Sequence, residues 1–242
     1  MKRLPPALLL DLDDTILSMS ATAMPAWEAL CGRFAARLGA VDARALFAAI
    51  ELAVDRFWKD PESRRWGSHD LERARRTIAA DAFRRAGVGD DSTAHEMADT
   101  FSRERLSTIS PFPGALETLD RLRAHGRRLA LVTNGRSKVQ REKIDHFGLA
   151  PYFDCIVVEE EFGVGKPNPS VFRHALTSIG ADPLEAWMVG DNLAFDVAGA
   201  QQLGIHAIWM DVRGTGLAPE SEVRPDRIIR GLPELLEAEE NR

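Results

Sequence analysis

Cysteine is nearly absent: Cys31 and Cys155 are the only two in 242 residues, and they stand far apart in unrelated segments. A disulfide framework and a cysteine-based metal site are both excluded. Long apolar runs are missing as well. None approaches the roughly 18 residues that a membrane helix needs, and the run that follows the basic opening Met1 to Pro6 stops at Asp11, too short for a signal-peptide core. A cytoplasmic protein that does not engage a membrane is expected. Positive charge is not in excess, and the formal net charge of -6 leaves no electrostatic footprint for a nucleic-acid backbone. A small anionic partner suits the chain better than nucleic acid. Only five of the 31 basic residues are lysines (Lys2, Lys59, Lys138, Lys143 and Lys166), which makes each of them easier to interpret. Repeats and low-complexity segments are lacking.

What the chain does have is enough apolar residue, 45%, to bury a full core at this length. Strand-length apolar runs occur at Ala7 to Leu10, Leu129 to Val132, Cys155 to Val158, Ala186 to Val189 and Ala207 to Met210. Helix-like stretches at Arg136 to Phe147, Ser170 to Ile179 and Asp196 to Leu203 alternate with the later runs. This alternation predicts an α/β fold built on a parallel sheet. Between the first two strands, residues 18–108 follow a helical pattern, with Leu46, Ile50 and Val54 at helix spacing and breaks at Gly39, Lys59-Asp60-Pro61, Gly67 and Gly87-Val88-Gly89. Four or five helices forming a separate bundle are expected there, with residues 1–17 and 109–242 as the core domain.

Chemistry-bearing residues fall at the carboxyl ends of the predicted strands, where open α/β sheets bind ligands. Asp11 and Asp13 end the first strand, Thr133-Asn134-Gly135 the second and Asp191 the fourth; Lys166 lies in a loop after the third. Crowded carboxylates repel one another unless a divalent metal, a lysine or a proton offsets them. Asp11 is placed to attack phosphorus as a nucleophile, and Asp13, two residues on, to protonate a leaving alkoxide and then deprotonate water. A lone Asp-x-Asp is also a common turn or helix cap. Thr133, Asn134 and Gly135 suit a phosphate oxygen, or only a strand-to-helix turn. Lys166, between Gly165 and Pro167, reads as a point charge held in a stiffened loop, or as a surface lysine. Asp191 offers a further carboxylate to Mg²⁺, with Asp196 and Asn192 as supporting groups behind it; Asp196 is equally suited to cap the helix that starts nearby.

Elsewhere the signals are weaker. His69, His95, His125, His146, His174 and His206 show no pair at ligand spacing and carry no catalytic expectation. The tryptophans read as core. Arg56, Lys59, Arg64 and Arg65 of the insert are candidates for contacting a polar leaving group, and are equally ordinary solvated helix residues.

Taken together, Asp-x-Asp-x-Thr at Asp11 to Thr15, Thr133-Asn134-Gly135, Lys166 and Gly-Asp-x-x-x-x-Asp at Gly190 to Asp196 resemble, in order, the motifs of the haloacid dehalogenase-like hydrolase superfamily. The resemblance implies a Rossmann-like core, an insert of the C1 cap type, Mg²⁺ dependence and an aspartyl-phosphate mechanism. By that likeness Asp11 is nucleophile and metal ligand, Asp13 is acid/base and gives its backbone carbonyl to the metal, Asp191 completes the metal site, and Thr133, Asn134 and Lys166 bind the phosphoryl group. The family's dehalogenases and phosphonate-cleaving members lack the second aspartate, so Asp13 favours a phosphatase acting on a small metabolite such as a nucleoside monophosphate or a sugar phosphate. A sugar phosphomutase, a 2-haloacid dehalogenase and a non-enzymatic phospho-receiver module are the alternatives, in that order.

Overall fold

The computed structural model describes residues 4–39, 41–67 and 70–236; Met1 to Arg3 of the basic opening and His69 lie outside them. Six parallel strands make one sheet: β1 (Ala7–Leu10), β2 (Arg128–Thr133), β3 (Cys155–Val158), β4 (Ala186–Gly190), β5 (His206–Met210) and β6 (Arg227–Ile229). They lie in the order β3-β2-β1-β4-β5-β6. The apolar runs of the sequence are continuous rather than alternating because helices cover both faces of the sheet. All four residues of β1 and all five of β4 are buried accordingly. β6 was not anticipated: it has three residues, of which only Ile229 is buried, too little apolar surface to register as a strand.

Among the described residues, five helices follow β1: α1 (Ser20–Leu38), α2 (Ala43–Lys59), α3 (Pro61–Gly67), α4 (Leu71–Arg85) and α5 (Asp91–Thr108). Asp42, Asp70 and Asp90 cap the second, fourth and fifth by accepting hydrogen bonds from backbone N–H groups one turn on. These helices share a core of their own, with Leu46, Ile50, Phe83 and Met97 fully enclosed and the Trp27 and Phe101 rings stacked 4.1 Å apart. The chain divides into two compact units. One, Met19–Ile109, is this bundle; the other takes in the chain up to Ser18 and from Ser110 onward. No helix among the described residues is long and apolar enough to cross a membrane.

The sheet unit adds α6 (Ala115–Ala124), α7 (Ser137–His146), α8 (Glu159–Phe162), α9 (Pro169–Ser178) and, after a π-helical turn at Leu193–Ala198, α10 (Gly199–Gln201). That turn starts three residues before the expected helix at Asp196. Its cap is Asn192, whose side-chain Oδ1 accepts from the N–H groups of Ala194 and Phe195 at 3.0 Å. From β1 the strand order runs outward through β2 and β3, then returns to β4 on the other side. The reversal leaves a crevice at the carboxyl ends of β1 and β4.

Candidate active site

Leu10 is in register with Leu131 on one side and Val189 on the other. Asp11, one residue on, extends the ladder by donating its N–H to Val189 O at 3.0 Å. The next turn folds tightly back: Asp14 takes a left-handed φ of 54° and its N–H reaches Leu17 O at 2.7 Å. Asp11 and Asp13 are thereby fixed at the end of the central strand.

Lys166 comes into the same place from the loop before α9. Its Nζ donates to Asp11 Oδ1 at 2.6 Å and lies 2.7 Å from Asp196 Oδ1, off the hydrogen-bond direction. Lys166 is 5% exposed and Asp196 1%, so this is a buried ion-pair cluster rather than a surface lysine. Asp196 also accepts the N–H of Asn192 through Oδ2 at 2.9 Å. Its carboxylate lies against the backbone of Gly190, where a Cβ would stand 2.2 Å from Oδ2. Only glycine at the end of β4 leaves room for it.

Asp11, Asp191 and Asp196 each bring a carboxylate oxygen to within 4.8 Å of the others. One ammonium cannot balance three carboxylates. Burial pushes the Asp11 carboxyl up to about 7 against the pull of Lys166, with Asp196 and Asp13 adding repulsion. Asp191 rises to about 8, through burial first and then the charges of Asp11, Asp196 and Asp14. Burial works against the Lys166 charge, but Asp11 and Asp196 outweigh it and hold the group above its ordinary value. Hard carboxylate donors with surplus negative charge fit a hard divalent cation. The trio contains Asp196; the Asp13 carboxylate, for which only a backbone role at a metal was expected, faces elsewhere.

That deficit has a measurable consequence. The unfolded chain releases these protons near pH 4, whereas the folded one keeps them to about pH 7 and 8. Between those limits the folded state holds more protons, so stability falls as pH rises. In EDTA the melting temperature is expected to drop from pH 6 to pH 8, and Mg²⁺ should restore it with a larger increment at pH 8. An increment that does not change with pH would remove the ion from this cluster.

The Asp13 carboxylate pairs with Lys143 of α7, whose Nζ reaches its two oxygens at 2.7 and 2.6 Å, and it accepts from Gln140 Nε2 at 3.1 Å. Neither α7 residue was a candidate on sequence. Gln140 Nε2 also donates to Thr133 Oγ1 at 2.6 Å and Asn134 O at 2.7 Å. The Asn134 carboxamide is spent on the lysine loop: Nδ2 donates to Lys166 O and Oδ1 accepts from Lys166 N, each at 2.8 Å. Gly135 N donates to Glu159 Oε2 at 2.8 Å. Thus Asn134 and Gly135, expected to face a phosphate oxygen, are engaged with protein partners. Arg56, Lys59, Arg64 and Arg65 are exposed on the helical unit, where Lys59 pairs with Asp55 at 2.9 Å and Arg56 approaches Asp81 at 4.0 Å. On sequence Lys143 stands out only as one of five lysines, in the helix-like stretch Arg136 to Phe147.

The family model described as haloacid dehalogenase-like hydrolase matches residues 5–204. This chain belongs to that family. The hydrolase is 38% identical, in an alignment of 256 positions that covers 96% of its own length and 98% of the relative's, to a phosphoserine phosphatase of Thermus thermophilus. It is 31% identical to a glyceraldehyde 3-phosphate phosphatase of Methanocaldococcus jannaschii, over 59% of this chain and 62% of that one. Among solved structures, the HAD-hydrolase YfnB from Bacillus subtilis, bound to magnesium, superposes with a TM-score of 0.74 at 25% identity over 98% of each chain. The helical insertion between β1 and β2 is a cap of the C1 type.

Proposed function

We propose that this hydrolase is a Mg²⁺-dependent phosphatase of a small phosphomonoester, with Asp11 as nucleophile. The observation that carries the reading is the pairing of two differently held aspartates at one strand end: Asp11 on Lys166 within the acidic trio, and Asp13 two residues on, with its own cation. The Asp11 carboxylate attacks phosphorus and takes the phosphoryl group as an aspartyl phosphate, while Lys166 balances charge on the nucleophile. Asp13 hands a proton to the departing alkoxide and then takes one from the water that frees Asp11. Asp11 and Asp191, with Asp196 beside them and the Asp13 backbone carbonyl a further candidate, would hold a divalent cation. When bound it supplies charge neutralisation for the phosphoryl oxygens. Thr133 stays a candidate phosphate contact through the network it shares with Gln140.

Phosphoserine leads the substrate candidates, because the relative that acts on it aligns over nearly the whole of both chains. Glyceraldehyde 3-phosphate, nucleoside monophosphates and sugar phosphates follow. Phosphate release across this panel, with Mg²⁺ and with EDTA, tests the reading. Metal-dependent turnover of one class supports it; no release from any compound removes it.

Asp13→Asn tests the acid/base role separately. An alkyl phosphate should lose about 10²–10³-fold in kcat/KM and p-nitrophenyl phosphate less than about tenfold, since a good leaving group needs little protonation. Equal losses on both would sink the assignment.

A further inference from the structure

Gln140 and Lys143 stand three residues apart on α7, the spacing that puts two side chains on one helix face, and that face is turned inward: they are 2% and 5% exposed. Lys143 spans both oxygens of Asp13 at 2.7 and 2.6 Å, which fixes the position and the plane of the carboxylate together. The Asp13 side chain itself is 32% exposed. A carboxylate with that much access to water has no need of a buried lysine for solvation, and burying the lysine is costly.

Gln140 sharpens the case. Its Nε2 has three acceptors within 3.1 Å, namely Asp13, Thr133 and Asn134, which fixes the amide orientation. Its Oε1 is buried with no hydrogen-bond partner. The site also holds its charges in two separate groups: Lys166 serves Asp11 and Asp196, and Lys143 serves Asp13.

We propose that Lys143 and Gln140 are positioning residues for Asp13, setting where its carboxylate stands when it transfers a proton to the leaving group. The proposal rests on the phosphatase reading above. The test compares Lys143→Met and Gln140→Leu with wild type on phosphoserine and on p-nitrophenyl phosphate. The expected loss in kcat/KM is about 10- to 100-fold on the alkyl ester and within about fivefold on the aryl ester. Lys143→Arg should recover part of the alkyl activity. In an Asp13→Asn background, Lys143→Met should cost no more than about threefold further, because its effect acts through the group already removed.

Equal losses on both esters, or full additivity with Asp13→Asn, would overturn the proposal. Gln140→Leu carries the same comparison if Lys143→Met does not fold. Wild type that releases no phosphate overturns the phosphatase reading and this proposal with it. Active wild type with a dead Asp11→Asn and no leaving-group dependence at Lys143 or Gln140 overturns this proposal alone.

Discussion

Asp11→Asn is expected to abolish phosphate release, by about 10⁴-fold or more, and to leave a protein that in EDTA at pH 8 melts above wild type. The two results have one origin. The carboxylate supplies the attacking oxygen, and no amide replaces it. The same carboxylate is held ionised at a cost in a buried cluster, and its carboxyl, pushed up to about 7, records that cost. The amide keeps an oxygen for Lys166 and drops the charge. Because the wild-type penalty grows from the unfolded value near pH 4 up to about 7, the stability gap should shrink at pH 5. Scanning calorimetry at the two pH values and a phosphate assay are sufficient. Activity within tenfold of wild type would dismiss Asp11 as nucleophile.

Lys166→Met is expected to have the opposite effect on stability. It removes the ammonium that lies 2.6 Å from Asp11 and 2.7 Å from Asp196, leaving three crowded carboxylates. Breaking a buried ion pair from one side typically costs about 3–5 kcal/mol. Part of that is recovered by protonating Asp11 or Asp191, so the destabilisation should be smaller at pH 6 than at pH 8. Turnover should fall by about 10²–10³-fold, as for loss of a preorganised charge at a reacting centre. Urea unfolding at both pH values reads the first effect. A variant as stable as wild type at pH 8 would mean that another cation already balances the trio.

The sheet was legible because its strands are short, unbroken apolar runs that end in polar loops, and Ala7–Leu10 and Cys155–Val158 match their expected bounds. β6 escaped because one buried isoleucine gives no periodicity. At the site, Asp11, Asp13, Lys166 and Asp191 were readable as charged residues at strand ends, and the structure gathers them on neighbouring strands and loops. The sequence does not disclose which polar groups answer one another. The Asn134 carboxamide binds the Lys166 backbone and the Gly135 N–H binds Glu159, and Lys143, no candidate on sequence, meets Asp13 from α7. Such pairings bring together residues as far apart as 13 and 143, and local pattern carries no record of them. The π-helical turn was hidden for a related reason, since its start depends on the Asn192 side chain bonding to backbone two and three residues ahead.

Asn134 engages Lys166 through one N–H and one C=O, each at 2.8 Å, the same two groups that a residue in an adjoining strand would present. The carboxamide therefore works as a borrowed peptide unit, adding one rung beyond the last residue of β2 and stitching a loop to the sheet where no strand exists. Aspartate has no donor for the carbonyl, and serine cannot span both bonds. The lysine's placement is thus inherited from the geometry of the sheet rather than from the loop that carries it.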